Sequence, residues 1–462
     1  MMFHSMLRSR TGAIKCLLLF ASLVLIHSQA AIAQNIKVGT FNVDATPPIG
    51  VPVAYAKTRS VADPLSARGV VILSDQQPIV LCAVDWIGIS NEGQDVWKAQ
   101  LAKAANTTVD RVSVHALHQH DGAICDFTIE KILNEYHLGG ISIDNEFVSG
   151  VIKNAALAVK EAIKNAKPVT HVGFGQAQVE NVASNRRILG PDGKVSITRW
   201  SSTTDPAAIA APEGLIDPWL KSVSFWNESQ PVAVLTYYAT HPQSHYGKGD
   251  VTCEFIGIAR NEREKMLGIP HIHFNGAGGN ITAGKYNDGA PATRPILAAR
   301  VALAMQQAWT RTTTAQITDK DLAWKNVKVQ LPLSKNINEA DLRKRLSNTQ
   351  SSYPEKYAAA EKLAWYQRST AGKKVNISAL KIGKNWLLNL PGELFVEYQL
   401  NAQKLRPADE QVCTAAYEEY GPGYIGTKIS YTQGGYETTD IVSGVAPEVE
   451  DVLMQAIEAV LK

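Results

Sequence analysis

Two hydrophobic periods alternate along this chain. Ala67 to Ser74 and Pro78 to Trp86 are apolar runs rich in β-branched residues, with Asp75-Gln-Gln-Pro78 between them. That pattern predicts two strands joined by a turn. Arg111 to Leu117, Pro231 to Thr240, His271 to Phe274 and Trp386 to Gly392 read as further strands. The other period is helical. Phe147, Val151, Ala155, Ala158 and Ala162 form one apolar stripe within Ile143 to Lys167, with Asp144 as its cap and Pro168 as its stop. Ala292 to Thr310, Leu394 to Leu405 and Glu448 to Lys462 are also helical. The more charged Ser334 to Ser369 predicts a helical insertion between strands. This mixture throughout the chain predicts one large α/β (mixed α+β) domain over residues 34–462 rather than separable modules.

The chemistry stands just past the strands. His118 and His120 follow Arg111–Leu117, His241 follows Pro231–Thr240, and Glu393 follows Trp386–Gly392. A sheet gathers strand ends from distant parts of a chain onto one rim, where binding and catalytic groups are presented. Imidazoles and a carboxylate meeting there are the ligands of a catalytic zinc with one position left open for water. Taken singly, each motif has a plainer reading. His118-Gln-His120 on an extended strand would put both rings on one face, as metal ligands or as a hydrogen-bonded pair. A lone His241 after a strand suits a structural role, with Pro242 blocking continuation of the strand. Glu393 suits an acid at a helix start. The glycine-rich Phe274–Lys285 includes Gly279 to Lys285, which lacks only the final Ser or Thr of a phosphate loop, because Tyr286 stands there. A loop that aims Thr282 or backbone N–H groups at a reacting carbonyl fits these residues better.

Composition narrows the setting. Residues 1–33 carry Arg8, Arg10 and Lys15, an apolar run from Cys16 to Ile26, and Ala31-Ile-Ala33 before Gln34. These features predict a signal peptide, with export to the periplasm or the medium, and a run too short to span a membrane. The whole chain is formally +3, and the leader's three cations and no acids account for it. The remainder is therefore neutral, which gives no electrostatic argument for nucleic acid or an anionic membrane. Export permits disulfides among Cys82, Cys125, Cys253 and Cys413, in three pairings, with buried free thiols as the alternative.

The pieces occur in a familiar order. Gly39-Thr-Phe-Asn-Val-Asp-Ala-Thr-Pro-Pro-Ile-Gly50, Asp63-Pro-Leu-Ser-Ala-Arg68, Asp85-Trp86 and the His-x-His-x-Gly segment resemble the start of the neutral ceramidase family. Asn185-Arg186, Thr240-His-Pro-Gln-Ser244, Gly279-Asn-Ile-Thr-Ala283, Pro391-Gly-Glu393 and Tyr424-Ile-Gly-Thr with Tyr436 continue it in register. The resemblance implies a zinc hydrolase domain of the neutral-ceramidase catalytic type. It implies zinc ligation by His118, His241, Glu393 and Tyr424, with Arg186, His120 and Tyr436 facing the substrate amide. It further implies attack by zinc-activated water, oxyanion stabilisation by Arg186, Tyr436 and the glycine-rich loop, and proton donation to the leaving amine by His120.

This sequence departs from the family at informative places. Leu117-His-Gln-His-Asp-Gly122 stands where the family has Thr-His-Thr-His-Ser-Gly. Thr282 replaces a catalytic serine and either positions water or acts as nucleophile. Glu254 replaces an aspartate and reads as a support or helix cap. Ceramidases carry an additional C-terminal β-rich domain, and none is expected within this sequence. Gln119, Asp121, Gln243, His245, Lys248, Asp250, Lys285, Asn287 and Asp288 flank the motifs. They predict a polar mouth and a polar amide, ester or sugar-derived substrate, whereas a two-tailed lipid wants an apolar one. The substrate class therefore stays open between small molecule, lipid and glycan. A glycan hydrolase, deacetylase or lactonase and a non-catalytic binding protein are the alternatives to an amidase.

Overall fold

The computed structural model describes residues 36–462, so the leader lies outside the described residues. Three sheets carry the fold. The first runs in the order Val112–Ala116, Ile79–Val84, Ser66–Leu73, Lys37–Asp44, Lys167–Pro168. The second runs His271–Asn275, Gln230–Tyr238, Trp219–Asn227, His171–Gln178, Thr313–Gln316. The third runs Leu322–Val329, Val375–Ile382, Asn385–Asn389, Gln411–Ala415. Pairing is antiparallel except at one end of each sheet. There Val112–Ala116, His271–Asn275 and Gln411–Ala415 each lie parallel to a neighbour. The mixed α+β class read from the periodicity is the observed one.

Alternation along the strands explains the layers. In the first sheet Val70, Ile72, Leu81 and Ala83 enter a core shared with Leu235 and Leu387 of the other two sheets. Val71, Val80, Cys82 and Val84 point the opposite way, onto the helices Asn91–Ala105 and Asn145–Lys164. Both faces are buried, which is why these strands read as continuous apolar runs. Asp144 caps the second of those helices by accepting from the Phe147 N–H. Pro168 does not simply stop that helix, because Lys167–Pro168 form a short edge strand paired with Lys37–Asp44. Pro is tolerated there because the position is an edge. Gly39 lies against this helix so closely that a Cβ would stand 2.0 Å from the Ala162 carbonyl oxygen.

The predicted insertion is two helices, Glu339–Ser347 and Tyr353–Thr370, lying between Leu322–Val329 and Val375–Ile382. Asn338 caps the first and a Ser352–Glu355 capping box starts the second. Their apolar faces pack with Phe127–Glu135 through Ile129, Leu133, Leu346 and Leu363. Cys82, Cys125, Cys253 and Cys413 are buried free thiols, so the disulfide reading is not realised. No described helix is long and apolar enough to cross a membrane.

The three parallel edge strands meet one another. The Asn275 N–H donates to His115 Nε2 at 2.9 Å, and the Ala416 N–H donates to the Asn275 carbonyl at 2.9 Å. The Ala116 N–H donates to the Tyr417 carbonyl at 3.3 Å. The carboxyl ends of strands from all three sheets are thereby tied to one point.

Beneath this junction burial lowers the pKa of His271 to about 3. Its Nε2 shares the Thr236 hydroxyl, at 3.0 Å, with His273. A folded pKa below the unfolded value means stability that is present above about pH 6.5 and lost as the pH falls toward 3. His271→Gln leaves Thr236 a partner and removes this titration. Below pH 6.5 its unfolding free energy should fall less steeply than that of the native chain, by about 1.4 kcal/mol per pH unit. Urea titrations between pH 7 and pH 5 measure this, and equal slopes would refute it.

Candidate metal centre

His118, His241 and Glu393 each sit just beyond a strand of one of these parallel pairs. After Val112–Ala116 the chain leaves the sheet, and His118 takes a left-handed backbone with φ 69°. The His118 N–H donates to the Trp86 carbonyl at 2.9 Å and its Nδ1 lies 2.7 Å from the Ile87 carbonyl. The two histidines are therefore on a loop, not on one face of an extended strand as the spacing suggests. The left-handed residue between Leu117 and Gln119 swings the chain so that the rings still meet, with centroids 4.7 Å apart. Non-glycine residues in this region of φ cluster at functional sites because the surroundings must hold them there.

His241 follows Gln230–Tyr238, and its Nδ1 lies 2.6 Å and 3.0 Å from the carbonyls of Gly278 and Ile281. The glycine-rich loop thus orients a ligand. It also packs against Glu393, since a Cβ on Gly279 would stand 2.2 Å from the Glu393 carbonyl oxygen. It is not a phosphate loop. Lys285 is spent on the carbonyls of Ile209 and Ala211, and only a three-residue 3-10 turn follows.

The ligand atoms of His118, His241 and Glu393 all lie within 4.8 Å of one another, and all three residues are buried. Glu393 Oε2 is 2.9 Å from His241 Nε2 and 3.2 Å from His118 Nε2. Its Oε1 accepts from the Tyr420 hydroxyl at 2.7 Å. The Tyr424 hydroxyl is 3.3 Å from His241 Nε2 and accepts from Arg186 Nη1 at 2.8 Å. Both imidazoles hold their Nδ1 protons on backbone carbonyls when neutral, which leaves two Nε2 lone pairs facing a carboxylate. Burial keeps His241 below its ordinary pKa despite Glu393. Burial alone would raise Glu393, but His118 and then His241, when protonated, outweigh it and hold the carboxyl well below its usual range. Acceptors converging without a donor between them are the arrangement a cation completes, and nitrogen and oxygen donors of these types suit zinc.

His120 faces the cavity beside this set. Its Nδ1 is 3.1 Å from the His118 carbonyl, the Gln243 amide bonds its Nε2, and Tyr55 stacks on it. Arg186 stands behind Tyr424, stacked among Trp200, Tyr424 and Tyr436 and paired with Glu437 at 3.3 Å. Thr282 pairs with Ser184 in a two-stranded ribbon, and its hydroxyl donates to the Trp200 carbonyl at 3.4 Å. Glu254 lies apart from the three ligands, bonded to Ser244 and Arg294. Sequence reasoning missed Tyr420 and also Tyr417, which stacks on His118 at 4.8 Å. Both lie in the segment after Gln411–Ala415. The local signal is that both tyrosines shortly precede Tyr424.

The site opens into a cavity of ≈ 690 Å³. Its wall is apolar and aromatic, including Val53, Tyr55, Ile129, Ile141, Tyr357 and Val442, with His118, His120, Glu393, Tyr424 and Tyr436 on the same lining. The predicted polar mouth is not found, because none of the nine flanking polar side chains lines it. They are engaged elsewhere. Asp121 holds the Gly247 N–H, Asp250 pairs with Arg59, and Asn287 holds the carbonyls of Ser201 and Ser244.

The fold is that of solved ceramidases. A ceramidase complexed with C2 matches with a TM-score of 0.68 at 15% identity, over 92% of this chain and 75% of that one. The neutral ceramidase from Pseudomonas aeruginosa matches with a TM-score of 0.67 at 16% identity, over 92% and 74%. No protein-family profile matches the sequence. No curated protein matches it either.

His118→Ala and His241→Ala should each abolish metal retention after dialysis, measured by elemental analysis of the purified protein. Glu254→Gln should keep it. Tyr420→Phe should weaken metal affinity by roughly 10- to 100-fold, the usual effect of removing a partner that orients a ligand. Full occupancy in either histidine variant would refute the ligand assignment.

Proposed function

We propose that this chain is a zinc-dependent hydrolase that cleaves the amide bond of an N-acyl amphiphile. The observation that carries the reading is the His118, His241 and Glu393 set placed at an apolar cavity of ≈ 690 Å³. Similarity of fold to ceramidases supports amide hydrolysis. The cavity wall supports a substrate with an acyl chain over a glycan, because the polar side chains that favoured a glycan are turned away from it. The basic, then apolar, then small-residue pattern of residues 1–33 supports export.

His118, His241, Glu393 and Tyr424 would hold the metal. When bound, it supplies a Lewis acid that polarises a carbonyl and lowers the pKa of water. The remaining work falls to the chain's own groups. Tyr436 faces the cavity and donates to the carbonyl oxygen as negative charge develops there. Arg186 acts as a positioning residue, fixing the Tyr424 phenol through its 2.8 Å bond. His120 takes a proton from the attacking water and returns it to the amide nitrogen as the C–N bond breaks. One amide and one water thus give one carboxylic acid and one amine.

Thr282 positions the loop and water rather than forming an acyl-enzyme, because its hydroxyl is bonded to the Trp200 carbonyl and it is absent from the cavity lining. Thr282→Ala should retain a measurable rate on an N-lauroyl amide, and mass spectrometry during turnover should find no acyl adduct. Complete loss of activity together with a trapped adduct on Thr282 in the native enzyme would refute direct attack by water. Removal of metal by a chelator should stop hydrolysis, and added zinc should restore it. Activity that survives complete metal removal would overturn the reading.

A further inference from the structure

The helix Tyr353–Thr370 contributes Tyr353, Pro354, Tyr357, Ala358, Glu361 and Lys362 to the cavity wall. Two of these are charged. Glu361 and Lys362 are half-buried, and among the described residues neither makes a hydrogen bond or an ion pair. The surrounding wall is apolar and aromatic. A charged group taken partly out of water costs free energy unless opposite charge offsets it, and here each is offset only in part, mainly by the other. Two such groups of opposite sign, side by side on one wall, cost least when a ligand brings the complementary charges.

We propose that Glu361 and Lys362 form a specificity subsite for a zwitterionic head on the amine half of the substrate. The Lys362 ammonium takes a carboxylate and the Glu361 carboxylate takes an ammonium. The substrate class is then an N-acyl amine whose far end is an α-amino acid, such as an Nε-acyl-lysine. This deepens the amidase reading and rests on it.

The other charges around the subsite fit this assignment. Arg186 is occupied by Tyr424 and Glu437, and Lys57 is exposed on the cavity lining. Glu393 belongs to the metal set. Lys362 and Glu361 are thus the half-buried ionic groups that line the cavity away from that set, with the exposed Lys57 the third charge on the lining. Burial pushes the Glu361 carboxyl up and the Lys362 ammonium down, with each partly offset by the other's charge.

The test is a matrix of heads and variants on the full chain. Four lauroyl amides of one length are compared: Nε-lauroyl-lysine, the lauroyl amide of 6-aminohexanoate, the monolauroyl amide of 1,5-diaminopentane, and N-hexyl lauramide. The native enzyme should favour the zwitterion over the neutral amide by roughly 10- to 100-fold in kcat/KM. Lys362→Met should remove the advantage conferred by the carboxylate and leave that of the ammonium. Glu361→Gln should do the reverse. Neither should change the rate on the neutral amide. Equal rates on all four heads, or equal losses on all four in either variant, would overturn the subsite. Calorimetric binding of the same compounds separates the two readings. Head-selective binding that depends on Lys362 and Glu361 without hydrolysis of any amide would uphold the subsite and refute the amidase reading. Hydrolysis with no head selectivity would do the opposite.

Discussion

Two imidazole lone pairs and a carboxylate oxygen face one another across 2.9 Å and 3.2 Å, on buried side chains at the end of a cavity. Without a cation or added protons, this is repulsion in a medium that screens it poorly. Burying a charge costs several kcal/mol unless its partners repay it. The backbone does not let the rings turn away. The carbonyls of Ile87, Gly278 and Ile281 hold both Nδ1 atoms and so fix which nitrogen is presented. Tyr420 holds the other oxygen of Glu393. The surroundings are thus built to keep the acceptors together.

The fold explains how residues so distant in sequence arrive at one point. Each of three sheets ends in a parallel strand pair, and parallel strands discharge their loops on one side. Hydrogen bonds through Asn275, His115, Ala416 and Tyr417 clamp those ends together. His118, His241 and Glu393 lie within a few residues of the ends of the paired strands, so little loop freedom remains to blur their geometry. The helical insertion then adds a cavity wall that none of the three sheets supplies.

Much of this was legible before the structure. The continuous apolar runs located the strands, because both faces of the sheets are buried. Histidine or acid just past such a run located His118, His241 and Glu393. Other features could not be read locally. The left-handed turn at His118 breaks the assumption that residues two apart share a face, yet the rings converge for a different reason. Tyr420 and Tyr417 matter only because the strand Gln411–Ala415 pairs in parallel with Asn385–Asn389, a long-range fact. The nine flanking polar residues misled because polarity was read as exposure to substrate. Lys285, Asp121, Asp250 and Asn287 instead satisfy backbone and ionic partners in other loops. The charged insertion between strands was visible as a helical segment, but its contribution to the cavity depends on packing against Phe127–Glu135.

Nitrogen and oxygen atoms presented by three sheets converge at one candidate metal centre. X-ray absorption at the zinc edge of the purified chain reads the ligands of that centre. The expected first shell is two imidazole nitrogens with carboxylate and phenol oxygens at about 2.0–2.2 Å, showing the outer-shell scattering of imidazole rings and no sulfur. A shell at about 2.3 Å from thiolate, or a spectrum without imidazole scattering, would contradict it.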